Sequence, residues 1–137
     1  MAGLSPTQRT LGALKEQGAI CGIVERFLAN VGPFGVRKDL FGIIDIITLH
    51  PTKGIIGVQS CGQSFSEHKK GMLEGDERDA GRDLPKPEAC KAWIRAGGVL
   101  QLWGWRKVKL KRGGKAMRWT PRMHEFTLDE FEGGNEQ

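Results

Sequence analysis

The chain has 137 residues, 39% hydrophobic and 27% charged, with a formal net charge of +5. That length builds one core rather than two, and no window holds the unbroken apolar run of about 18 residues that a membrane-spanning helix needs. The opening "MAGLSPTQRT" lacks the apolar centre of a secretory signal, so the sequence predicts a protein of the cytoplasm, in a bacterial or phage-infected cell, with no membrane partner. Cys21, Cys61 and Cys90 are odd in number and far apart, and no C-x-x-C pair is present. A disulfide framework and a structural zinc site are therefore not expected.

In chain order, "SPTQRTLGALKEQ" (5–17) predicts a helix: Ser5 is placed to cap it, Pro6 suits the first helical position, Leu11 and Leu14 form an apolar stripe, and Gly18 stops it. "AICGIVERF" reads as a first strand with Glu25 at its far end, followed by the loop "ANVGPFG". Residues 36–49 read as one second strand, with Ile43, Ile44, Ile46 and Ile47 around Asp45. Such a run, apolar on both faces, predicts a strand covered by helices on each side. "HPTKG" is a turn, and "IIGVQSC" the third strand of a meander. "SFSEHKKGML" predicts a short helix capped by Ser64 or Ser66. The charged, breaker-rich stretch after it reads as a mobile loop over 74–86.

A further helix is expected in "PEACKAWIRAGG", with Ala89, Ala92, Trp93 and Ala96 on one side. "VLQLWGW" is a strand, and "KVKLKRGGKAMRWTP" a basic hairpin turning at Gly113-Gly114. The acidic tail ends in a run, 132–137, expected to fray. Together these elements predict an α/β fold: a single domain over 1–137 with a central mixed β-sheet flanked by α-helices.

Two features carry chemistry. Between Leu100 and Arg122 stand eight basic residues (Arg106, Lys107, Lys109, Lys111, Arg112, Lys115, Arg118 and Arg122), no acidic one, and three of the four tryptophans. Interleaved cations and aromatic rings suit a phosphate backbone and stacked bases; a solvated hairpin whose tryptophans pack on the core is the plainer reading. The second feature is Asp45 among isoleucines, because a carboxylate on an apolar strand is costly unless paired or bound to a cation. Asp39 shares its strand parity, and Gln59 can return to the same face across the turn. This oxygen-rich group suits Mg²⁺, which would orient and activate water against a phosphodiester. Alternatively Asp45 pairs with a buried arginine, and Asp39 caps the strand entry or pairs with Arg37 or Lys38.

"GIIDIITLHPTKGIIGVQSC" resembles the core of the PD-(D/E)XK nuclease superfamily, most of all the small Holliday-junction resolvases and their phage relatives, over roughly residues 5–75. The resemblance implies a restriction-endonuclease-like core and metal-dependent cleavage of DNA, branched or structured DNA included, with Mg²⁺ or Mn²⁺ as cofactor and a homodimer where two strands are cut. It implies that Asp45 is the motif aspartate, that Gln59 stands for the second acid, that the Ser60 carbonyl completes the metal ligands with Asp39 or Glu25, and that Cys61 occupies the lysine position. Cys61 cannot stabilise developing charge as lysine does, so Lys69 or Lys70 on the next helix is expected to take that role, with His68 as a further candidate. Thr7 or Gln8 stands near the place of the family's first-helix acid, and Glu25 is expected to replace it. The missing lysine also admits a protein of this fold that binds nucleic acid or a protein partner without cutting.

Overall fold

The computed structural model describes residues 3–79 and 84–132. Helix α1 (Pro6–Glu16) starts as the sequence dictates: the Ser5 hydroxyl accepts from the Gln8 amide at 3.2 Å, and the Gln8 side chain accepts from Ser5 N–H at 3.2 Å. This reciprocal cap satisfies two of the donors that a helix start leaves open. The helix leads into β1 (Ile20–Ile23), which pairs antiparallel with β4 (Ile46–His50), itself antiparallel to β5 (Gly54–Cys61). Helices α2 (Phe65–Glu74) and α3 (Lys86–Arg95) carry the chain across to β6 (Val99–Lys109), parallel to β5, and β7 (Met117–Glu125) closes the antiparallel hairpin. The result is one α/β domain whose mixed five-stranded sheet runs β1-β4-β5-β6-β7.

Side chains alternate across the strands and so build two cores. On one face α1 places Leu14 against Ile46, Ile56, Val58, Trp103 and Trp105. On the other, Phe65 and Met72 of α2 and Ala89 and Cys90 of α3 cover Ile44, Cys61, Leu100 and Leu102. Two glycines set how closely these layers approach. A Cβ on Gly104 would lie 2.6 Å from the Phe65 ring, and one on Gly57 would lie 2.6 Å from Ile44 Cδ1.

Two expected strands are in fact broken. Residues 36–49 do not form one strand: β3 (Val36–Lys38) ends before Asp39, and a Leu40–Ile44 bridge closes a tight turn with Phe41 at φ 57° and Gly42 at φ 76°. Gly42 takes this conformation freely, whereas Phe41 is held in it at a cost of about 1–2 kcal/mol. The "AICGIVERF" segment likewise divides into β1 and β2 (Arg26–Leu28), and β2 pairs with β3 in a separate two-stranded arm. The far end of β4 is covered on one side only, since Leu49 stays half exposed.

Beyond the expected elements, α4 (Leu128–Glu132) folds back by the acidic tail. Its Glu130 accepts from Thr127 N–H and meets His124 Nε2 at 2.7 Å, while Glu132 pairs with Arg95. Five residues are too few to show a helical period in sequence. In the segment read as a loop, Glu77–Asp79 make one 3-10 turn, and the Asp79 carboxylate accepts from the amides of Asp76 and Lys86. Residues 80–83 of that segment, and 133–137 of the tail expected to fray, lie outside the described residues.

Thr10 ties α1 to the sheet. Its hydroxyl donates to Pro6 O at 2.9 Å and accepts from Ser60 Oγ (3.1 Å) on β5 and from Trp105 Nε1 (2.9 Å) on β6. The side chain is fully buried. Thr10→Val keeps the shape but leaves the indole N–H without its acceptor, so a loss of about 1–3 kcal/mol is expected in urea unfolding. Thr10→Ser, which keeps the oxygen, is expected to lose less. Equal stability of the valine variant and the parent would refute this role.

Candidate functional site

Asp45 stands where β1, β4 and β5 meet. Its carbonyl accepts from Val24 N–H (2.8 Å) and Glu25 N–H (3.3 Å), and its own N–H donates to Val58 O at 2.8 Å. Val58 is also the register partner of Ile46, so two residues of this strand face one on β5, as in a β-bulge. Bulges re-aim side chains, and here the carboxylate turns onto the β5 backbone, where Oδ2 accepts from Ser60 N–H at 2.8 Å. The Ile44 carbonyl is engaged elsewhere, by Leu40 N–H within the tight turn.

That turn, rather than shared strand parity, brings Asp39 back to Asp45. Gln59 joins them: its Nε2 donates to Asp39 Oδ2 at 2.7 Å and lies 3.5 Å from Asp45 Oδ1. Glu25 arrives from the segment after β1, and ligand atoms of Glu25, Asp39 and Asp45 all lie within 4.8 Å of one another. Asp45 and Gln59 are buried, Glu25 and Asp39 half-buried. The Asp45 carboxyl is pushed up to about 8, first by burial, then by the hydrogen bond to and negative charge of Asp39; the Ser60 amide opposes the shift and Glu25 adds to it.

The donor set suits a hard divalent cation. It offers three carboxylates and an amide, all oxygen ligands of the kind Mg²⁺ and Mn²⁺ prefer. Gln59 as placed turns its NH₂ toward the acids, as an amide must when carboxylates face it alone; a half-turn presents Oε1 instead. In an extended strand the N–H and C=O of one residue leave by the same edge, so the Ser60 carbonyl is directed to the edge that Asp45 occupies.

The other expected site residues are spread more widely. Cys61 is buried against Phe65 and Met72, and burial first, then the charge of Asp45, pushes its thiol up to about 11. It is a core side chain. Lys69 is half-buried and Lys70 exposed on α2, a helix that packs on α3, β6 and α4. Neither forms an ion pair with the acids among the described residues. His68 Nδ1 is engaged at the start of its own helix, 2.9 Å from Ser64 O and 3.1 Å from Ser64 Oγ. Thr7 and Gln8 share with Glu25 and Arg26 the walls of a pocket of about 290 Å³ beside the acidic cluster.

The eight basic residues lie on the β6–β7 hairpin, all of them exposed. Its far half, from Arg106, runs beyond the last β5 pairing at Cys61–Gly104. Arg9 (4.0 Å) and Lys107 (5.4 Å) lie over the Trp119 ring, and Arg122 lies 4.4 Å over Phe65. Trp103 and Trp105 belong to the core, so of the three tryptophans in the hairpin only Trp119 is partly open to solvent. Sequence reading missed the contribution of Thr10, because a threonine on an otherwise ordinary helix gives no signal of a partner 50 residues away. No protein-family model, curated protein or solved structure matches the chain.

The raised Asp45 carboxyl makes a signed prediction. The folded state holds a proton that the unfolded chain releases, so this contribution to stability is complete below about pH 4 and is lost as pH rises toward about 8. Asp45→Asn has no such proton to lose. In EDTA, the variant's stability relative to the parent is expected to improve with pH across this window by up to about 1.4 kcal/mol per unit. Urea midpoints at pH 5 and pH 8 give the measurement; a pH-independent difference would count against a protonated buried Asp45.

Proposed function

We propose that the protein is a metal-dependent DNA endonuclease that hydrolyses phosphodiesters, with branched or structured DNA as the substrate class. The observation that carries this reading is the convergence of Glu25, Asp39, Asp45 and Gln59 at one end of the sheet. The basic hairpin projects at that same end of β5, two strands away. The order α1, β1, loop, the Asp45-bearing strand, β5 and then α2 also supports it, since this is the order of elements on which the resemblance to PD-(D/E)XK nucleases rests.

Asp45, Asp39, the Gln59 Oε1 and the Ser60 carbonyl would hold Mg²⁺ or Mn²⁺. The ion, when bound, polarises the phosphodiester and stabilises the leaving oxygen. Glu25 borders the open pocket beside the cluster, which suits its carboxylate to take a proton from the attacking water. Lys69 or Lys70 supplies positive charge from α2. The hairpin cations grip the backbone on either side of the scissile bond, and a second copy of the chain serves the second strand.

When branched, linear and single-stranded DNA are each offered with Mg²⁺ or Mn²⁺, cleavage of the branched substrate, and none in EDTA, is the expected result. Asp45→Asn keeps an oxygen for the Ser60 amide and is expected to lower the rate by at least a hundredfold. Unchanged cleavage by that variant, or cleavage in EDTA, would falsify the assignment.

A second reading rests on Cys61: with the motif lysine replaced by a buried thiol, the protein would bind nucleic acid, or a partner protein, without cutting. Both DNA-binding readings require a steep salt dependence. If most of the eight hairpin cations engage phosphates, the slope of log K against log [salt] on duplex DNA is expected to be about −5 to −7. A slope near zero in anisotropy titrations would remove the hairpin from the interface.

A further inference from the structure

Beyond the Cys61–Gly104 pair, β5 leaves the sheet while β6 runs on to Lys109. The notch between the β5–α2 connection and the free edge of β6 is a cavity of about 310 Å³, lined by Gly62, Phe65, Trp105, Arg106, Lys107 and Arg122 among others. Three of these are cations, and among the described residues no carboxylate side chain reaches the lining. Among the described residues none of the three forms an ion pair. Arg122 and Lys107 are steadied instead by the faces of Phe65 and Trp119. The Ser64 hydroxyl at the start of α2 turns to His68 and leaves the helix without a side-chain cap, so its first N–H groups stay available beside the notch.

A concave surface with three uncompensated positive charges and a partly apolar wall concentrates the field on a small anion. A phosphodiester within a strand carries one charge and is flanked by chain on both sides. A phosphate monoester carries about 1.5–2 charges near neutral pH, presents three acceptor oxygens, and has chain on one side only. The second shape and charge fit a recess, and arginine matches phosphate oxygens in pairs. Gly62 follows Ser60 by two residues, so an anion in the notch lies at the same end of β5 as the acidic cluster.

We propose that the notch receives the terminal phosphate monoester of a nucleic-acid strand, and so sets a strand end at a fixed step from the carboxylates. This deepens the nuclease reading and rests on it for the identity of the strand. Binding in EDTA tests it without any cleavage, so a failure of the nuclease assay and a failure of this proposal are separate results.

The probe is an internally labelled single-stranded oligonucleotide bearing a phosphate at its 5′ end, at its 3′ end, or at neither, titrated at fixed ionic strength. One phosphorylated form is expected to bind at least tenfold more tightly than the unphosphorylated one. A Cβ at Gly62 meets nothing within 4 Å, and the residue's φ is not positive. Gly62→Leu is therefore expected to fill the notch without disturbing the fold: the tenfold preference disappears while affinity for the unphosphorylated strand holds. Arg106→Gln, on an exposed strand position, is expected to reduce the preference by removing charge rather than space. Equal affinity for all three oligonucleotides, or a preference that survives both substitutions, overturns the proposal. So does displacement of the phosphorylated strand by inorganic phosphate or a mononucleotide at concentrations comparable to the strand's own.

Discussion

The central constraint in this fold is the position of Asp45, which takes part in three backbone pairings at once. Its carbonyl holds the chain after β1, its N–H holds β5, and its carboxylate continues along β5 where the main chain has turned away. A carboxylate used in this way must be buried, and burial beside Asp39 and Glu25 is unfavourable for a charged group. The local answers are visible: the Ser60 N–H, the Gln59 amide, and a carboxyl pushed up to about 8. All three lower the cost without removing its source. If the site takes the cation proposed for it, Asp45 must give up its proton and Gln59 must rotate to present its oxygen.

Much of the fold could be read from local chemistry. The cap at Ser5 and the Gly113 turn each act within a few residues, and the structure has them where the sequence predicts; on α3 the expected apolar side holds only in part, since Ala89 and Trp93 pack inward with Cys90 and Ile94 while Ala92 and Ala96 are exposed. Asp45 and Gln59 were legible too, because a carboxylate and an amide among isoleucines and valines violate the pattern around them. What escaped was set by tertiary contact. "RKDLFGIID" contains no strong breaker except one glycine, so the turn at Phe41-Gly42 hides in an apolar run; it is closed by a bridge and costs a left-handed phenylalanine. The β2–β3 arm depends on a pairing across the loop 29–35, and α4 on packing of Phe126 with Phe131, 5.9 Å between ring centres. The roles of Lys69 and Lys70 depend on where α2 presents them, which no spacing encodes.

The charge distribution follows the topology. Acids gather from the segment after β1 and from the two ends of the β3–β4 connection, all in the first half of the chain; cations gather on the β6–β7 hairpin in the second. With β5 and β6 side by side, opposite charges sit at one end of the sheet yet stay apart. Thr10 bridges them mechanically, since one hydroxyl touches Ser60 beside the acids and Trp105 beside the cations.

The parallel pairing of β5 with β6 has a kinetic consequence. The β4–β5 and β6–β7 pairs close over short turns, but Ile56 meets Val99 only after a loop of 43 residues (99 minus 56) is closed. Loop-closure entropy makes that step the slow one. The acidic half and the cationic half therefore belong to separately forming units, and neither has its neighbour until the chain has passed its main folding barrier. A partly folded molecule would carry each half of the site but not their combination, so competence for function and completion of folding arrive in the same event.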